Sequence, residues 1–328
     1  MKLRLTFIIL LFLTLSAYGE ATDVERLTVN RSDDSKIEYY IFEPSPKLSS
    51  DVLLLILQGS DCNSVLKIKS IFSDYKNVSP KADLLLIEKY GIDKTLSYNS
   101  DAERKDCPVE YLQKDNPKQR VADINMVLNV VRNNRTYSHF VVIGGSEGAV
   151  IANLLAASIG YVDATISFNG GGRWFIEDVL HNIASEYENI EEAKESIEGF
   201  KGFSEHVLDS KPFNLKVSGH GYNWWNQMLS IDQLNVLQKV NSPMLIVQGG
   251  IDLSVSPKKV DEMIIKLRES RKENIEYITY KNLDHGFRNA EGKNETKKVI
   301  ADMREWLNEK LNNNPNKPMQ STANASAN

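Results

Sequence analysis

A serine, an aspartate and a histidine, each following an apolar run, stand in an order that could support nucleophilic catalysis. Ser146 lies in Gly144-Gly145-Ser146-Glu147-Gly148, entered by Val141-Val142-Ile143 and left by a helical pattern from Ala149 to Ile159. A Gly-x-Ser-x-Gly between a strand and a helix puts the serine on a tight, strained turn and lifts its hydroxyl off the end of a sheet. Gly144 and Gly148 suit a place where strand and helix backbones come close. A serine hydroxyl is protonated at neutral pH, so it needs a neutral imidazole within hydrogen-bond reach to take the proton as it attacks. Of the five histidines, His139, His181, His206 and His220 precede the candidate acid. Only His285 follows the last predicted strand, Ile275 to Tyr280, in Asp284-His285-Gly286-Phe287.

The third member must orient that ring and stabilise its charge. Asp252 follows the buried-strand run Pro243 to Gln248 and Gly249-Gly250, which lets the chain turn sharply. Asp284 competes because it adjoins His285, but neighbours in an extended loop point in different directions. Asp261 falls inside the following helical pattern and is expected to face solvent. The order Ser146, Asp252, His285 separates this arrangement from two other common orders of the same chemistry. Acyl transfer also needs donors aimed at the oxygen that becomes negative. The backbone N–H of Glu147, the residue after the nucleophile, is one candidate. The turn Gln58-Gly59-Ser60-Asp61 should supply the other, with Ser60 as its candidate owner; the alternative is that Gly59-Ser60 is simply a turn. The Glu147 side chain is expected to bond locally or face an overlying segment rather than act chemically.

These motifs resemble the α/β-hydrolase superfamily, in the group that includes dienelactone hydrolase-like esterases and prolyl-oligopeptidase-like serine peptidases. The resemblance spans residues 36 to 311 and implies an α/β fold, with a mostly parallel central sheet flanked by helices. It implies a serine hydrolase acting on a small-molecule acyl substrate, with neither metal nor organic cofactor. Many relatives carry His-Gly where this chain has Gln58-Gly59, which leaves the owner of the second donor open. Two other functions remain in view. A serine peptidase would use the same triad, although such relatives usually carry a large propeller for which this chain has no room. A catalytically silent binding protein is the other, because fold does not dictate function.

The elements that must position the site are readable as short apolar strands alternating with helices. Arg26 to Asn30 and Lys36 to Phe42 suggest an antiparallel edge pair. Val52 to Leu57 and Leu84 to Ile87 are continuous apolar runs, as in strands covered on both faces. Val121, Ile124, Val127, Leu128 and Val131 recur at helical spacing within Arg120 to Arg132. Ala164 to Phe168 is the strand after the serine helix. Alternation then breaks down, and residues 171–240 are read as a helical cap inserted in the domain, as many superfamily members carry. Glu186, Glu188, Glu191, Glu192, Glu195 and Glu198 are taken as a solvated face. Trp224 and Trp225 are candidates for a substrate pocket, with packing of the cap as the competing explanation.

Composition sets the compartment. Lys2 and Arg4, eleven uncharged residues from Leu5 to Leu15, and Ser16-Ala17-Tyr18-Gly19 read as a signal peptide over residues 1–19. That core is too short to span a bilayer. The chain is therefore expected to be secreted or periplasmic, with no stable membrane insertion after cleavage. Lys2 and Arg4 are the only charges in that segment, so its loss takes the net charge from −5 to −7. Such acidity argues against nucleic acid as a partner. Cys62 and Cys107 are the only cysteines, and an oxidising compartment favours a disulfide between them. The main domain is expected over residues 20–311, and the Asn-, Pro-, Ser- and Ala-rich tail 312–328 is expected to be disordered. Oligomeric state is not legible in the sequence.

Overall fold

The computed structural model describes residues 25–44, 50–101 and 103–312. The expected signal peptide 1–19 lies outside them, as does the expected tail apart from Asn312, which closes the last helix. Strands β1 (Leu27–Asn30), β2 (Lys36–Phe42) and β3 (Val52–Leu57) are followed by helix α1 (Lys69–Ser73) and β4 (Asp83–Ile87). Helices α2 (Val109–Lys114) and α3 (Pro117–Asn134) lead to β5 (His139–Gly145), α4 (Glu147–Ser158) and β6 (Ala164–Phe168). Four helices come next: α5 (Phe175–Ser185), α6 (Ile190–Asp209), α7 (Tyr222–Ser230) and α8 (Gln233–Gln238). The chain closes with β7 (Met244–Gly249), α9 (Pro257–Glu269), β8 (Ile275–Tyr280) and α10 (Thr296–Asn312).

The eight strands form one sheet in the order β1-β2-β4-β3-β5-β6-β7-β8. Strand β2 pairs antiparallel with both neighbours, and all pairings from β4 to β8 are parallel. The expected antiparallel edge and parallel centre are both formed. Alternation along β3 explains the two layers. Leu54 and Ile56 join a core shared with Val299, Met303 and Leu307 of α10. Leu53, Leu55 and Leu57 face the opposite core, with Ile124, Val127 and Leu128 of α3 and Ile151 and Leu155 of α4. A strand buried on both faces must be apolar throughout, which is why these runs show no polar alternation.

Helix α3 starts three residues before the periodic apolar pattern does. Asn116 Oδ1 accepts the Gln119 N–H at 2.9 Å and Pro117 occupies the first helical turn, a start signal set by capping rather than by burial. The glutamates from Glu186 to Glu198 are exposed, as expected of a solvated face. No helix among the described residues is long and apolar enough to cross a membrane.

Candidate active site

Ser60, Ser146, Asp252 and His285 each stand past the carboxyl end of a parallel strand. The Gly59–Asp61 turn follows β3, Ser146 follows β5, Asp252 follows β7 and His285 follows β8. Parallel strands pointing the same way bring these loops to the same end of the sheet, where open α/β sheets bind ligands.

Ser146 has φ 54° and ψ −126°, a backbone conformation that L-residues with a side chain rarely adopt. Two close approaches hold it there. A Cβ on Gly144 would lie 2.1 Å from the Gly148 carbonyl oxygen, and one on Gly148 would lie 2.3 Å from that of Leu57. Strand and helix therefore meet without side chains between them. The Ser146 N–H donates to the Phe168 carbonyl at 3.0 Å, and its side chain makes no capping bond to α4. The hydroxyl is therefore not spent on capping the helix whose positive end it adjoins.

His285 Nδ1 lies 2.8 Å from Asp252 Oδ2. The Asp252 carboxylate is buried; Oδ1 accepts the N–H groups of Ser254 (2.8 Å) and Val255 (3.1 Å), and Oδ2 accepts Gln248 Nε2 (3.1 Å). Asp284 turns away: its Oδ1 accepts the N–H groups of Gly286 and Arg288 and ties its own loop. Asp261 is exposed and accepts from the Tyr277 hydroxyl. Asn169, directly after β6, joins the two halves of the site. Its Nδ2 donates to the His285 carbonyl at 2.8 Å and its Oδ1 accepts the Gly249 N–H at 2.9 Å. Helix α5 grips the acid loop from outside. Asp178 accepts the N–H groups of Ser256 and Gly172, and His181 Nε2 donates to the Asp252 carbonyl at 3.0 Å. Burial pushes Asp178 up to about 7, against those two backbone donors.

The other wall is a buried charge cluster. Glu147 Oε1 pairs with Arg120 Nη1 at 2.6 Å, and Oε2 lies 3.6 Å from Lys89 Nζ. Burial alone would raise the Glu147 carboxyl, but Lys89 and Arg120 outweigh it and hold it below the usual carboxylate range. Lys89 Nζ donates to the carbonyls of Gly59 (2.7 Å) and Asp61 (2.8 Å), and Arg120 Nη2 donates to that of Gln58 (3.1 Å). Ser60 thus sits between anchored neighbours. Asp115 lies buried beside the cluster, and its burial raises its carboxyl against the field of Lys89. His220 Nδ1 lies 3.2 Å from the Tyr111 hydroxyl, and burial pushes the imidazole down to about 3, so the ring is neutral.

Trp224 and Trp225 are 3% and 5% exposed and pack in the core of the helices between β6 and β7. Trp225 meets Phe175, Phe200 and Phe203 and donates from Nε1 to the Val217 carbonyl, while Trp224 stacks on His220 at 3.7 Å. A polar cleft of about 250 Å³ opens beside Ser60, bounded by Asp61, Asn63, Tyr98, Asp101 and His220. Cys62 and Cys107 also line it and form the expected disulfide.

Sequence reasoning passed over Lys89, Arg120, Asp178 and Asn169. Arg120 carried a signal: it falls in phase with Ile124, Val127 and Val131, so a charge stood on the buried stripe of a helix. Lys89 carried a weaker one, lying two residues past an entirely buried strand. Asn169 and Asp178 carried none, because their partners are backbone groups, most of them in loops distant in sequence.

The profile of the Prolyl oligopeptidase family matches residues 197–314. No curated protein sequence matches the chain. Among solved structures, Est1E from Butyrivibrio proteoclasticus is similar with a TM-score of 0.57 and 14% identity, over 88% of this chain and 99% of that one. An esterase from Pyrococcus furiosus is similar with a TM-score of 0.55 and 12% identity, over 89% and 91% of the two chains. An acylaminoacyl peptidase from Pyrococcus horikoshii gives a TM-score of 0.54 and 12% identity, over 87% of this chain but 41% of that one.

Proposed function

We propose that this chain, which has the α/β-hydrolase fold, is an exported serine hydrolase that cleaves an ester or related acyl bond through an acyl-Ser146 intermediate. The reading is carried by a serine on a strained turn past β5 and a histidine past β8 that bonds a buried aspartate past β7. Asp252 faces Nδ1 of His285, which fixes the proton there and leaves Nε2 as the base. In the first half-reaction Oγ of Ser146 bonds to the acyl carbon as Nε2 takes its proton. The developing oxyanion is received by the N–H groups of Glu147 and Ser60. Nε2 then protonates the departing alcohol oxygen as its bond to carbon breaks. Water repeats the sequence, giving its proton to Nε2 and its oxygen to the acid product, and Ser146 is regenerated.

The likeness to the Pyrococcus esterase over most of both chains supports an ester substrate. A serine peptidase is the second reading, favoured by the prolyl oligopeptidase profile over the segment that holds Asp252 and His285. Export is supported by the disulfide together with the signal-like N-terminus. A fluorophosphonate that labels Ser146 supports a hydrolase. Folded protein that does not label is a binding protein on this fold. Turnover of 4-nitrophenyl esters against aminoacyl-arylamides decides between esterase and peptidase.

A further inference from the structure

We propose that Lys89 is a positioning residue for the oxyanion hole: its ammonium fixes and polarises the peptide that presents the Ser60 N–H. The inference rests on the serine-hydrolase reading above and adds to it a residue that touches neither substrate nor the reacting atoms. The Gly59 carbonyl and the Ser60 N–H belong to one planar trans peptide unit and point in opposite directions. Lys89 Nζ holds that carbonyl at 2.7 Å, so the N–H is directed away from the lysine. A cation on the carbonyl oxygen also draws electron density from the nitrogen and strengthens the N–H as a donor. The turn already approaches the nucleophile: a Cβ on Gly59 would lie 3.4 Å from Cβ of Ser146 and 3.9 Å from its Oγ.

A lysine placed only to neutralise Glu147 would make its shortest contact with the carboxylate. Here the order is reversed, with carbonyls at 2.7 and 2.8 Å and the carboxylate oxygen at 3.6 Å. The second bond, to the carbonyl of Asp61, pins the turn on the far side of Ser60. The same ammonium therefore reaches both proposed donors, through the turn that owns Ser60 and through the side chain of Glu147. Arg120 completes the frame by joining Glu147 to the Gln58 carbonyl. Preorganised donors lose no energy to reorientation when charge develops, which is where such a frame would act.

The test compares Lys89→Met and Lys89→Gln with the parent by turnover of 4-nitrophenyl acetate, by the rate of fluorophosphonate labelling at Ser146, and by melting temperature. Losing one oxyanion donor costs about 100- to 1,000-fold in kcat; loosening one should cost at least about tenfold in both kcat and labelling rate, with KM within about threefold. A folded Lys89 variant with kcat within about threefold of the parent overturns the inference, as does a change confined to KM. Parent protein that neither labels nor turns over removes the serine-hydrolase reading and this inference with it. Parent protein that is active beside an equally active variant removes this inference alone.

Discussion

Two buried carboxylates of the candidate site, Asp252 and Glu147, are held in opposite ways. Asp252 is gripped by two backbone N–H groups of its own loop, the Gln248 amide and the His285 ring. Glu147 is held by two cations, Arg120 from α3 and Lys89 from beyond β4. The first arrangement is local and leaves the carboxylate free to respond to one imidazole. The second is long-range, and its charges are compensated only as a set. Removing one member of the second set leaves the remaining charges buried and uncompensated, whereas the first has no second ion of its own to strand.

The sharpest way to break this comparison is at the proposed triad. Ser146→Ala and His285→Ala should each remove nearly all turnover, and the double variant should be little worse than either, because such residues act as a unit. Asp252→Asn should cost on the order of 10⁴ in kcat while the protein stays folded. Asp284→Asn should change kcat by less than about threefold, since that side chain ties its own loop. The reverse ranking of the two aspartates would transfer the acid's role to Asp284.

Glu147→Gln should show the opposite profile, with stability failing first. It leaves Arg120 and Lys89 buried without their partner, and breaking such a pair costs about 3–5 kcal/mol. A denaturant midpoint equal to that of the parent would refute the architectural role. Opening the disulfide should cost about 4 kcal/mol for residues 45 apart, and the native protein should titrate no free thiol before reduction.

A finer distinction comes from pH. His220, on the cluster side, has its folded pKa pushed down to about 3, so only the unfolded chain takes up a proton as pH falls below about 6.5. Its stabilising contribution is present above that value and is lost with acid, by about 2 kcal/mol from pH 7 to pH 5. Asp178, on the acid-loop side, is pushed up to about 7, so the unfolded chain loses its proton first. Its contribution is present at low pH and is lost by about 2 kcal/mol as pH rises from 5 to 7. Chemical denaturation of His220→Phe and Asp178→Asn at both pH values should change the parent's pH slope in opposite directions. Slopes identical to the parent's would refute both assignments.

The same contrast explains how much of the site was legible in the sequence. Residues on the Asp252 side follow strands with strong apolar signals, and the motifs around Ser146, Asp252 and His285 fall within a few residues of those strands. The sheet, its antiparallel edge pair and the helices α3, α4, α6 and α9 were readable because burial on one or two faces leaves a periodic or continuous apolar pattern. The charge cluster was not readable, since Lys89, Arg120 and Glu147 come from elements 27 to 58 positions apart and meet only after the sheet has assembled. Trp224 and Trp225 show a further limit. Their size announced a cluster and left two readings, a substrate pocket or packing of the inserted helices; both rings are buried in the core of those helices.

The bond between Cys62 and Cys107 also determines what the molecule becomes when its backbone is cut. The segment it closes contains β4, paired to β2 and β3 on either side, and the stretch around the exposed Tyr98. Exposed loops of this kind are preferred sites of proteolytic nicking. A single cleavage there produces two chains that remain covalently joined through the two sulfurs. The nicked protein should migrate as one species without reductant and as two with it.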